Sequence, residues 1–526
     1  MRTGWSAGIS RIIVWSALCL YVLITLSSLD QRLQGDDHVV LWMATSIRFG
    51  DLPNRDFHDG GIPLQVLLTY VAQVATGHRP IGEVALQITL RAVGMICLYL
   101  VALRITGGRL VALAVLAPVA LLTLGIGLYG AEKMFIFPVA ALAAWRYLEN
   151  PGRPWTLCAV TAAAFLLRHD HGVYVGLPLA LAVVLSRRSL VPFVLGVAVF
   201  LLPWLGWVQA HEGVLTYWND RVEFARLAGL TAPRPGFGIP AGYLLERRNA
   251  LWLLWQLAVL TVVAAFATAA WRRDRKLLVL SLMACLVVAG WLRNIDGSPE
   301  SAAAWALAGA WLVSLARRPG ARIVATAWVV ATVVLVLAVS EPREPLRRYL
   351  LFDGGLVARA TRAVQRHSAL PAIDQYAPAD VTDERLIVRY VYRCLDPGEH
   401  YWDAAQWFPL SYYSEHPMLD QPNWRLGIRR SHDAEIAARL RAGTLPPLIV
   451  IEDESDPYNA FKHYPTVQAL VREKYEPISS PAMDEFRKHI DNVTLLRDRS
   501  RQPTGRFAPL DLPCFARSAA GVTDVN

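Results

Sequence analysis

Long uncharged runs of apolar residues constrain this chain more than any other feature of its sequence. The first, Ile12 to Leu29, contains no acidic or basic residue, and a helix that crosses a bilayer needs about 20 such residues. Hydrophobic residues make up 54% of the chain and charged residues only 18%, whereas soluble domains carry about 25% charged residues. The sequence therefore predicts a polytopic α-helical membrane protein.

The apolar runs divide into about eleven candidate transmembrane helices. No small-residue cleavage site follows the first run, so we expect it to be retained as a span and not removed as a signal peptide. The predicted spans are Ile12–Leu29, Glu83–Leu103, Leu110–Tyr129, Met134–Trp145, Trp155–Leu167, Gly172–Leu185, Leu190–Ala210, Ala250–Trp271, Leu277–Leu292, Ser301–Ala316 and Ile323–Ser340.

The basic residues of the short loops predict the orientation, because Lys and Arg are retained on the cytoplasmic side. With a cytoplasmic N-terminus, residues 30–79, 211–249 and 341–526 lie on the outer face of a bacterial inner or plasma membrane. The net charge of +9 is spread over these loops, which argues against a nucleic acid partner. The inside residues are Arg104, Arg109, Arg146, Arg153, Arg187, Arg188, Arg272, Arg273, Arg275, Lys276, Arg317, Arg318 and Arg322, opposed by Glu149 and Asp274.

The polar tail, residues 341–526, is expected to form a soluble extracytoplasmic domain behind a transmembrane domain of residues 1–340. Residues 386–392 and 447–452 have the composition of strands, and residues 433–442 have a helical pattern, so we predict a small α/β domain. The end, from about Arg497, is rich in Arg, Pro, Gly and Ser and is expected to be loosely ordered. Cys394 and Cys514 lie in this tail, where an oxidising compartment allows a disulfide.

The outer segment 30–79 holds an acidic pair, Asp36 and Asp37, in the first turn of a predicted amphipathic helix. Two interpretations fit this position. Carboxylates stabilise the positive end of a helix dipole, and a capping role is the simpler explanation. A cap needs only one residue, however, and two adjacent carboxylates at the mouth of a span also suit a general base or a cation site.

The order of elements in this segment resembles the first outer loop of the GT-C superfamily of membrane glycosyltransferases. An acidic pair, a helix, the turn FGDLP and the segment RDFHDGGIPL follow one another. The likeness departs at Gly61 and Ile62, where superfamily members commonly carry a further proline. Among these enzymes the chain looks most like the mannosyltransferases and aminoarabinose transferases.

The resemblance implies an inverting glycosyltransferase that moves a sugar from a polyprenyl-phosphate donor to a hydroxyl group of a lipid-linked glycan, lipopolysaccharide or protein. Asp36 then matches the catalytic base, Asp37 its partner and Asp59 a substrate-binding residue. A base of this kind removes the acceptor's proton as the hydroxyl attacks. A divalent cation, Mg²⁺ or Mn²⁺, is compatible with this chemistry, although the sequence spells out no metal motif.

Two further candidates lie near predicted outer ends of spans, and the first of them, Glu132, matches the superfamily. Glu132 falls where a further acid is common, next to Lys133, and the alternative is a solvated, self-neutralised turn. Arg91, near the outer end of the second span, either binds phosphate or extends its side chain to the interface.

The segment Arg168, His169, Asp170 and His171 interrupts a long apolar stretch. Charged groups near a bilayer interior are costly and mark functional sites by default, and short helices on either side predict a re-entrant outer hairpin. The resemblance makes Arg168 a ligand for the lipid phosphate. Two alternatives are a satisfied polar network and a metal site, the latter disfavoured because neighbouring helix residues point apart.

Weaker candidates lie in two other outer segments. Residues 215–229 have an aromatic and charged face typical of a lid on the membrane surface or of an interfacial helix without a substrate role. The turn at Arg293, Asp296 and Glu300 either lines an acceptor channel or carries ordinary loop charges. A transporter or flippase and a non-enzymatic envelope assembly protein are the competing functions, but the internal repeat that is common in transporters is absent.

Overall fold

The computed structural model describes most of the predicted spans and a large part of the tail. The acid Asp36, the turn with Arg293, Asp296 and Glu300, and the side chain of Asp37 lie outside what it describes. The described residues are 3–28, 37–124, 130–231, 247–291, 307–312, 314–315, 319–340, 355–368, 385–404, 408–417, 433–442, 445–452, 460–487 and 493–516.

To within one residue, the described part of every predicted span is helical. The helices of the first 340 residues are α1 Thr3–Ser28, α2 Asp37–Arg48, α3 Pro63–Ala75, α4 Pro80–Thr106, α5 Arg109–Leu124, α6 Ala131–Glu149, α7 Trp155–Leu167, α8 His169–Leu185, α9 Val191–His211, α10 Val214–Thr231, α11 Arg247–Trp271, α12 Arg275–Trp291 and α13 Pro319–Ser340. Residues 307–312 and 314–315 are also helical.

Among the described residues, three helices are long and apolar enough to cross a membrane: Pro80–Thr106, Val191–His211 and Asn249–Trp271. Six apolar helices are shorter, and they include the first span and both helices that flank Arg168. The helical bundle agrees with the predicted class, whereas the count of eleven spans stays a prediction.

Packing divides the chain into two compact units. The first comprises residues 1–33, 84–204 and 232–366, and the second comprises residues 34–83, 205–231 and 367–526. These units are defined by contacts between residues and not by position in a membrane. The predicted boundary at residue 340 between the transmembrane and soluble domains therefore stays a prediction.

Within the first unit, loops predicted to be cytoplasmic meet at one end of the bundle. Lys276 Nζ lies 3.2 Å from Glu149 Oε1, and Arg188 donates a hydrogen bond to the carbonyl of Pro151 at 3.3 Å. A hydrogen bond from Trp145, then Lys276 and the charge of Arg104, lower the pKa of Glu149. Four of the loops in the predicted inside set therefore share one end of the unit.

Within the second unit, the tail forms an α/β layer. Four strands, β1 Trp402–Asp403, β2 Leu448–Glu452, β3 Tyr475–Pro477 and β4 Val493–Asp498, pair in the order β1-β2-β4-β3, with β1 parallel to β2 and the other pairs antiparallel. The tail helices are α14 Gly355–Ser368, α15 Arg385–Cys394, α16 Phe408–Tyr413, α17 Asp433–Ala442, α18 Pro465–Lys474 and α19 Pro481–Arg487. All but α14, which belongs to the first unit up to residue 366, lie in the second unit. The predicted strand at 447–452 and the predicted helix at 433–442 are both present.

The core of this layer lies where α17 and α18 pack against the sheet. Trp402, Ile449 and Tyr464 are buried there with other apolar residues. Asp433, at the start of α17, accepts hydrogen bonds from the backbone N–H groups of Thr466 and Val467 at 2.7 and 3.0 Å. A carboxylate in this position satisfies donors at the start of a helix that would otherwise have no partner.

The predicted strand at 386–392 is wrong, because these residues form helix α15. Its β-branched and aromatic residues favour a strand by composition. Burial follows a helical period instead, since Leu386, Tyr390 and Cys394 are all buried at intervals of four residues. Arg389 and Arg393 share another face of the helix with the same spacing.

The expectation of a loosely ordered end from Arg497 is also wrong for residues 497–516. Strands β5 Gly505–Phe507 and β6 Leu512–Cys514 form an antiparallel hairpin. A disulfide between Cys394 and Cys514 ties this hairpin to α15. The composition of the segment favours turns, but it does not reveal this cross-link.

Candidate active site

Helix α2 starts at Asp37, the second residue of the acidic pair. Asp36 comes directly before it in the sequence. The residue after Asp37, His38, is completely buried. Its ring lies 5.4 Å from that of Tyr413 and 6.4 Å from that of Tyr412, measured between centroids. The first turn of α2 is therefore held against tail helix α16 within the second unit.

The turn after α2 is built from residues that accept left-handed backbone conformations. Gly50, Asn54, Gly60 and Gly61 all have positive φ angles, between 63° and 98°. Asn54 donates its backbone N–H to the carbonyl of Phe57 at 2.6 Å. Glycine adopts such angles without a steric penalty, and asparagine tolerates them better than most residues. The sequence thus folds the segment back on itself and directs Asp59 inward.

Asp59 is fully buried, and its carboxylate accepts three hydrogen bonds. The donors are Asn54 Nδ2 at 2.9 Å, Tyr217 Oη at 2.9 Å and the backbone N–H of Gly61 at 2.8 Å. Burial by itself raises the pKa of Asp59, but His58, Arg221 and Asn54 together lower it below its ordinary value. The residue is therefore an anion that is fixed by its neighbours.

The phenol of Tyr217 is protonated in this arrangement. Burial, followed by the negative charge of Asp59, raises its pKa well above the ordinary value. It acts as a donor to the carboxylate from helix α10. Since α10 is remote from Asp59 in sequence, this hydrogen bond closes the outer segment onto α10.

A cluster of charged residues continues from Asp59 along α10. His58 Nδ1 lies 3.6 Å from Asp59 Oδ1, while His58 Nε2 lies 3.8 Å from Glu212 Oε1 and contacts Arg221 Nη2. Asp220 and Glu212 complete the cluster, which we name the α10 cluster: His58, Glu212, Asp220 and Arg221.

Three members of the α10 cluster could hold a cation. Ligand atoms of His58, Glu212 and Asp220 all lie within 4.8 Å of one another, the one such group found among the described residues. One imidazole with two carboxylates suits Mn²⁺ better than Mg²⁺, which prefers oxygen ligands. The guanidinium of Arg221 contacts His58 Nε2, the ring nitrogen that faces Glu212. A metal ion bound to this nitrogen has to displace Arg221.

Sequence reasoning missed the partners of Asp59. It found an aromatic and charged face on residues 215–229, and Tyr217 and Arg221 are four residues apart, which places them on one helix face. Nothing in the sequence says which other segment this face contacts.

In the first unit, helices α7 and α8 are separated by one extended residue, Arg168, with φ −167° and ψ 128°. Arg168 Nε lies 3.0 Å from Asp170 Oδ1, and about a third of each side chain is exposed. His169 stacks on Phe165 with ring centroids 4.3 Å apart. His171 is completely buried and lies 4.9 Å from the ring of Phe137.

The two histidines therefore have different neighbours, as expected for residues i and i+2. The metal-ligand group found among the described residues includes neither of them. Arg168 and Asp170 form an ion pair that reaches solvent. Of the four polar residues, only His171 is fully buried, so Arg168, His169 and Asp170 are the ones that can meet a ligand.

Glu132 and Lys133 lie in the first turn of α6, after Gly130 in a left-handed conformation with φ 89°. Both side chains are buried, so the alternative of a solvated turn is wrong. Arg91 is also buried and donates to the carbonyl of Thr123 at 3.4 Å. It therefore does not extend to the interface.

The predicted residues thus fall into two groups. Asp59 belongs to the second unit, together with the α10 cluster. The first unit holds Arg91, Glu132, Lys133, Arg168, His169, Asp170 and His171.

Of the comparisons with known proteins, the one with solved structures identifies the fold of this chain. No protein-family model matches the sequence, and no curated protein matches it. The crystal structure of ArnT from Cupriavidus metallidurans bound to undecaprenyl phosphate matches 94% of this chain and 98% of its own, with a TM-score of 0.50 and 16% sequence identity. The chain therefore has an ArnT-like GT-C fold, as the motif of its outer segment predicted.

Proposed function

We propose that this protein is an inverting glycosyltransferase that moves a sugar from a polyprenyl-phosphate donor to a hydroxyl acceptor at the outer face of the membrane. The observation that carries the proposal is the ArnT-like fold over 94% of the chain, because the ArnT structure that it matches has undecaprenyl phosphate bound. The acidic pair at the start of α2 supports it independently.

In this proposal Asp36 acts as the general base. It takes the proton of the acceptor hydroxyl while the oxygen attacks the anomeric carbon from the face opposite the phosphate. A new glycosidic C–O bond forms, and the bond between the sugar and the phosphate oxygen breaks. The polyprenyl phosphate leaves with the electron pair, so the anomeric configuration inverts. Asp37 positions Asp36 and orients the acceptor.

Asp59 has a positioning role. A base must reach its proton and have a pKa near the working pH, whereas Asp59 is fully buried and its pKa is lowered. Its hydrogen bonds with Asn54 and Tyr217 hold the turn that follows α2. We propose that this turn fixes the angle at which α2 presents the acidic pair to the substrate.

The phosphate of the donor is assigned to Arg168. Its guanidinium is permanently charged and planar, which suits a phosphate group, and about a third of the side chain is exposed. Asp170 holds the guanidinium until the phosphate replaces it. Arg91 and Lys133 add positive charge in the same unit, balanced in part by Glu132, while His169 and His171 support the break between α7 and α8.

A divalent cation is proposed only as an aid to this reaction. His58, Glu212 and Asp220 would hold it, and Mn²⁺ fits these ligands. A bound cation offsets negative charge on a leaving phosphate. Binding of Mn²⁺ to the purified protein and to His58→Ala, measured by calorimetry, tests the site without any assay of transfer.

The test of function is sugar transfer from radiolabelled polyprenyl-phosphate sugars in membranes that carry equal amounts of each protein. We expect Asp36→Asn to abolish transfer. The matched control is Asp484→Asn, because Asp484 on α19 is a carboxylate with 61% of its side chain exposed and should not matter. Transfer by Asp36→Asn at the wild-type rate removes Asp36 as the base, and no transfer by the wild type with any donor favours a transporter.

A further inference from the structure

An apolar cavity of about 660 Å³ lies in the first unit, among helices α1, α4 and α5. Its volume is in the range of sites that bind small molecules. Its lining runs from Arg11 to Ile24 on α1 and from Arg109 to Leu121 on α5, and apolar side chains of α4 complete it. The only charged residues in this lining are the two arginines, and none is acidic.

The two arginines mark the same end of the cavity. The lining extends along α1 from Arg11 and along α5 from Arg109. Tyr21 of α1 and Thr123 of α5 share a hydrogen bond of 3.0 Å near the other end. Since both helices line one cavity and meet at this bond, they run parallel, with Arg11 and Arg109 together at their N-terminal ends.

At the opposite end, the lining of the described cavity includes the hydroxyl of Tyr21 and no charged side chain. The guanidinium of Arg91, which donates to the carbonyl of Thr123, lies beside this end but is not among the lining residues. Tyr21 and Thr123 bond to each other, and Thr123 also donates to the carbonyl of Val119 at 3.0 Å. The walls between are apolar and combine aliphatic side chains with Trp15, Met95 and Tyr99. The cavity is therefore amphipathic, with a cationic entrance and an apolar interior.

The length of the cavity fits a lipid chain. From Arg11 to Ile24 the lining covers a helix length of about 20 Å, at about 1.5 Å per residue, which is longer than one leaflet of a hydrocarbon core of about 30 Å. Trp15 and Leu20 are 59% and 49% exposed, so the cavity opens sideways toward the surrounding lipid. Tryptophan is typical of membrane interfaces.

We propose that this cavity binds an anionic phospholipid, with the phosphate at Arg11 and Arg109 and an acyl chain between α1, α4 and α5. Basic pockets between transmembrane helices on the cytoplasmic side bind anionic headgroups, and the predicted topology places both arginines on that side. This site is formed entirely by the first unit and lies at the N-terminal end of α1, whereas the acidic pair follows its C-terminal end. The inference does not depend on the proposed glycosyltransferase activity.

The experiment measures lipid binding to the purified full chain by native mass spectrometry. Phosphatidylglycerol is compared with phosphatidylcholine of identical acyl chains, and undecaprenyl phosphate is tested in parallel. We expect phosphatidylglycerol to bind at least tenfold more tightly than phosphatidylcholine. The double variant Arg11→Gln with Arg109→Gln is expected to lose this preference.

Two further variants keep the test decisive. Arg153→Gln with Arg187→Gln removes the same charge from loops that do not line the cavity, and it should bind like the wild type. Ala117→Phe fills the apolar interior without altering charge, and it should reduce phosphatidylglycerol binding at least tenfold. Equal binding of the two phospholipids, unchanged binding by both cavity variants, or binding of undecaprenyl phosphate in place of phosphatidylglycerol would each overturn the proposal.

Discussion

At the scale of single residues, the buried carboxylate of Asp59 is the group on which the second unit depends most clearly. The sequence pattern around RDFHDGG located this residue, but its role follows from partners that the pattern does not contain. Tyr217 is 158 residues further along the chain, and no local rule pairs such distant positions. The motif therefore identified Asp59, whereas its hydrogen-bond partner Tyr217 became evident only from the fold.

Removing the phenol of Tyr217 should destabilise the protein. Hydrogen bonds to charged groups contribute about 1.5–3 kcal/mol, so we expect Tyr217→Phe to lower the free energy of unfolding by about that amount. The measurement is thermal unfolding in detergent. Tyr70→Phe is the matched control, since Tyr70 on α3 has no hydrogen bond with a described residue. An unchanged melting temperature for Tyr217→Phe would mean that the bond to Asp59 does not stabilise the fold.

A second residue-scale prediction concerns acid sensitivity. Burial lowers the pKa of His416 to about 4, from an ordinary value of 6.5. The folded state therefore keeps this imidazole neutral, whereas the unfolded chain takes up a proton below about pH 6.5. The stability is complete above pH 6.5 and is lost as the pH falls toward 4, by up to about 3 kcal/mol.

We expect His416→Gln to flatten this pH dependence, because glutamine does not titrate. Unfolding midpoints of wild type and variant, measured from pH 7.5 to 4.5, give the comparison, and other titrating groups cancel in the difference. His211→Gln, at an exposed histidine, should leave the slope unchanged. Parallel curves for wild type and His416→Gln would contradict the assignment.

At the scale of elements, hydrophobic runs predicted the helices well, because burial in lipid or protein demands the same apolar composition. Helix α15 was missed for the opposite reason. Its β-branched and aromatic residues suit a strand, and tertiary packing with a disulfide to Cys514 overrides that preference. The order of residues 497–516 was missed because a cross-link and a hairpin compensate for a composition poor in apolar residues.

The crossing of α4 and α6 depends on Gly94. A Cβ atom at this position would lie 2.1 Å from the carbonyl oxygen of Met134, and small residues allow membrane helices to approach closely. We expect Gly94→Ala to lower the free energy of unfolding by about 1–3 kcal/mol, as overpacked substitutions do.

Gly206→Ala is the control for this prediction. Gly206 is also a helical glycine, but nothing lies within 4 Å of a Cβ built there. Alanine has the higher helix propensity, so this variant should be neutral or slightly stabilising. Equal melting temperatures for Gly94→Ala and Gly206→Ala in detergent would show that the crossing tolerates a methyl group.

At the scale of the whole molecule, the membrane orientation came from loop charges, and the structure adds that four of the predicted inside loops meet at one end of the first unit. The site could not be assembled in the same way. Its catalytic pair is predicted from a motif alone, and the α10 cluster required the fold. Charge bias acts along the chain during insertion, whereas a site forms from segments that meet only after folding.

The orientation makes a chemical prediction about the tail. Disulfides persist outside the cytoplasm and are rare within it, so the bond between Cys394 and Cys514 should form in cells if residues 341–526 are extracytoplasmic. Because both cysteines are buried, they are probed after the cells are denatured, and a maleimide that adds mass should then label them only after reduction. The four cysteines outside the tail, Cys19, Cys97, Cys158 and Cys285, are each replaced by alanine, so that any labelling comes from Cys394 and Cys514.

A second measurement uses a reporter enzyme that is active only outside the cytoplasm. Fused after Asn526 it should be active, and fused after Lys276 it should be inactive. Labelling without any reduction, together with an inactive reporter after Asn526, would place the tail inside and reverse the orientation of every loop, including the one that carries Asp36.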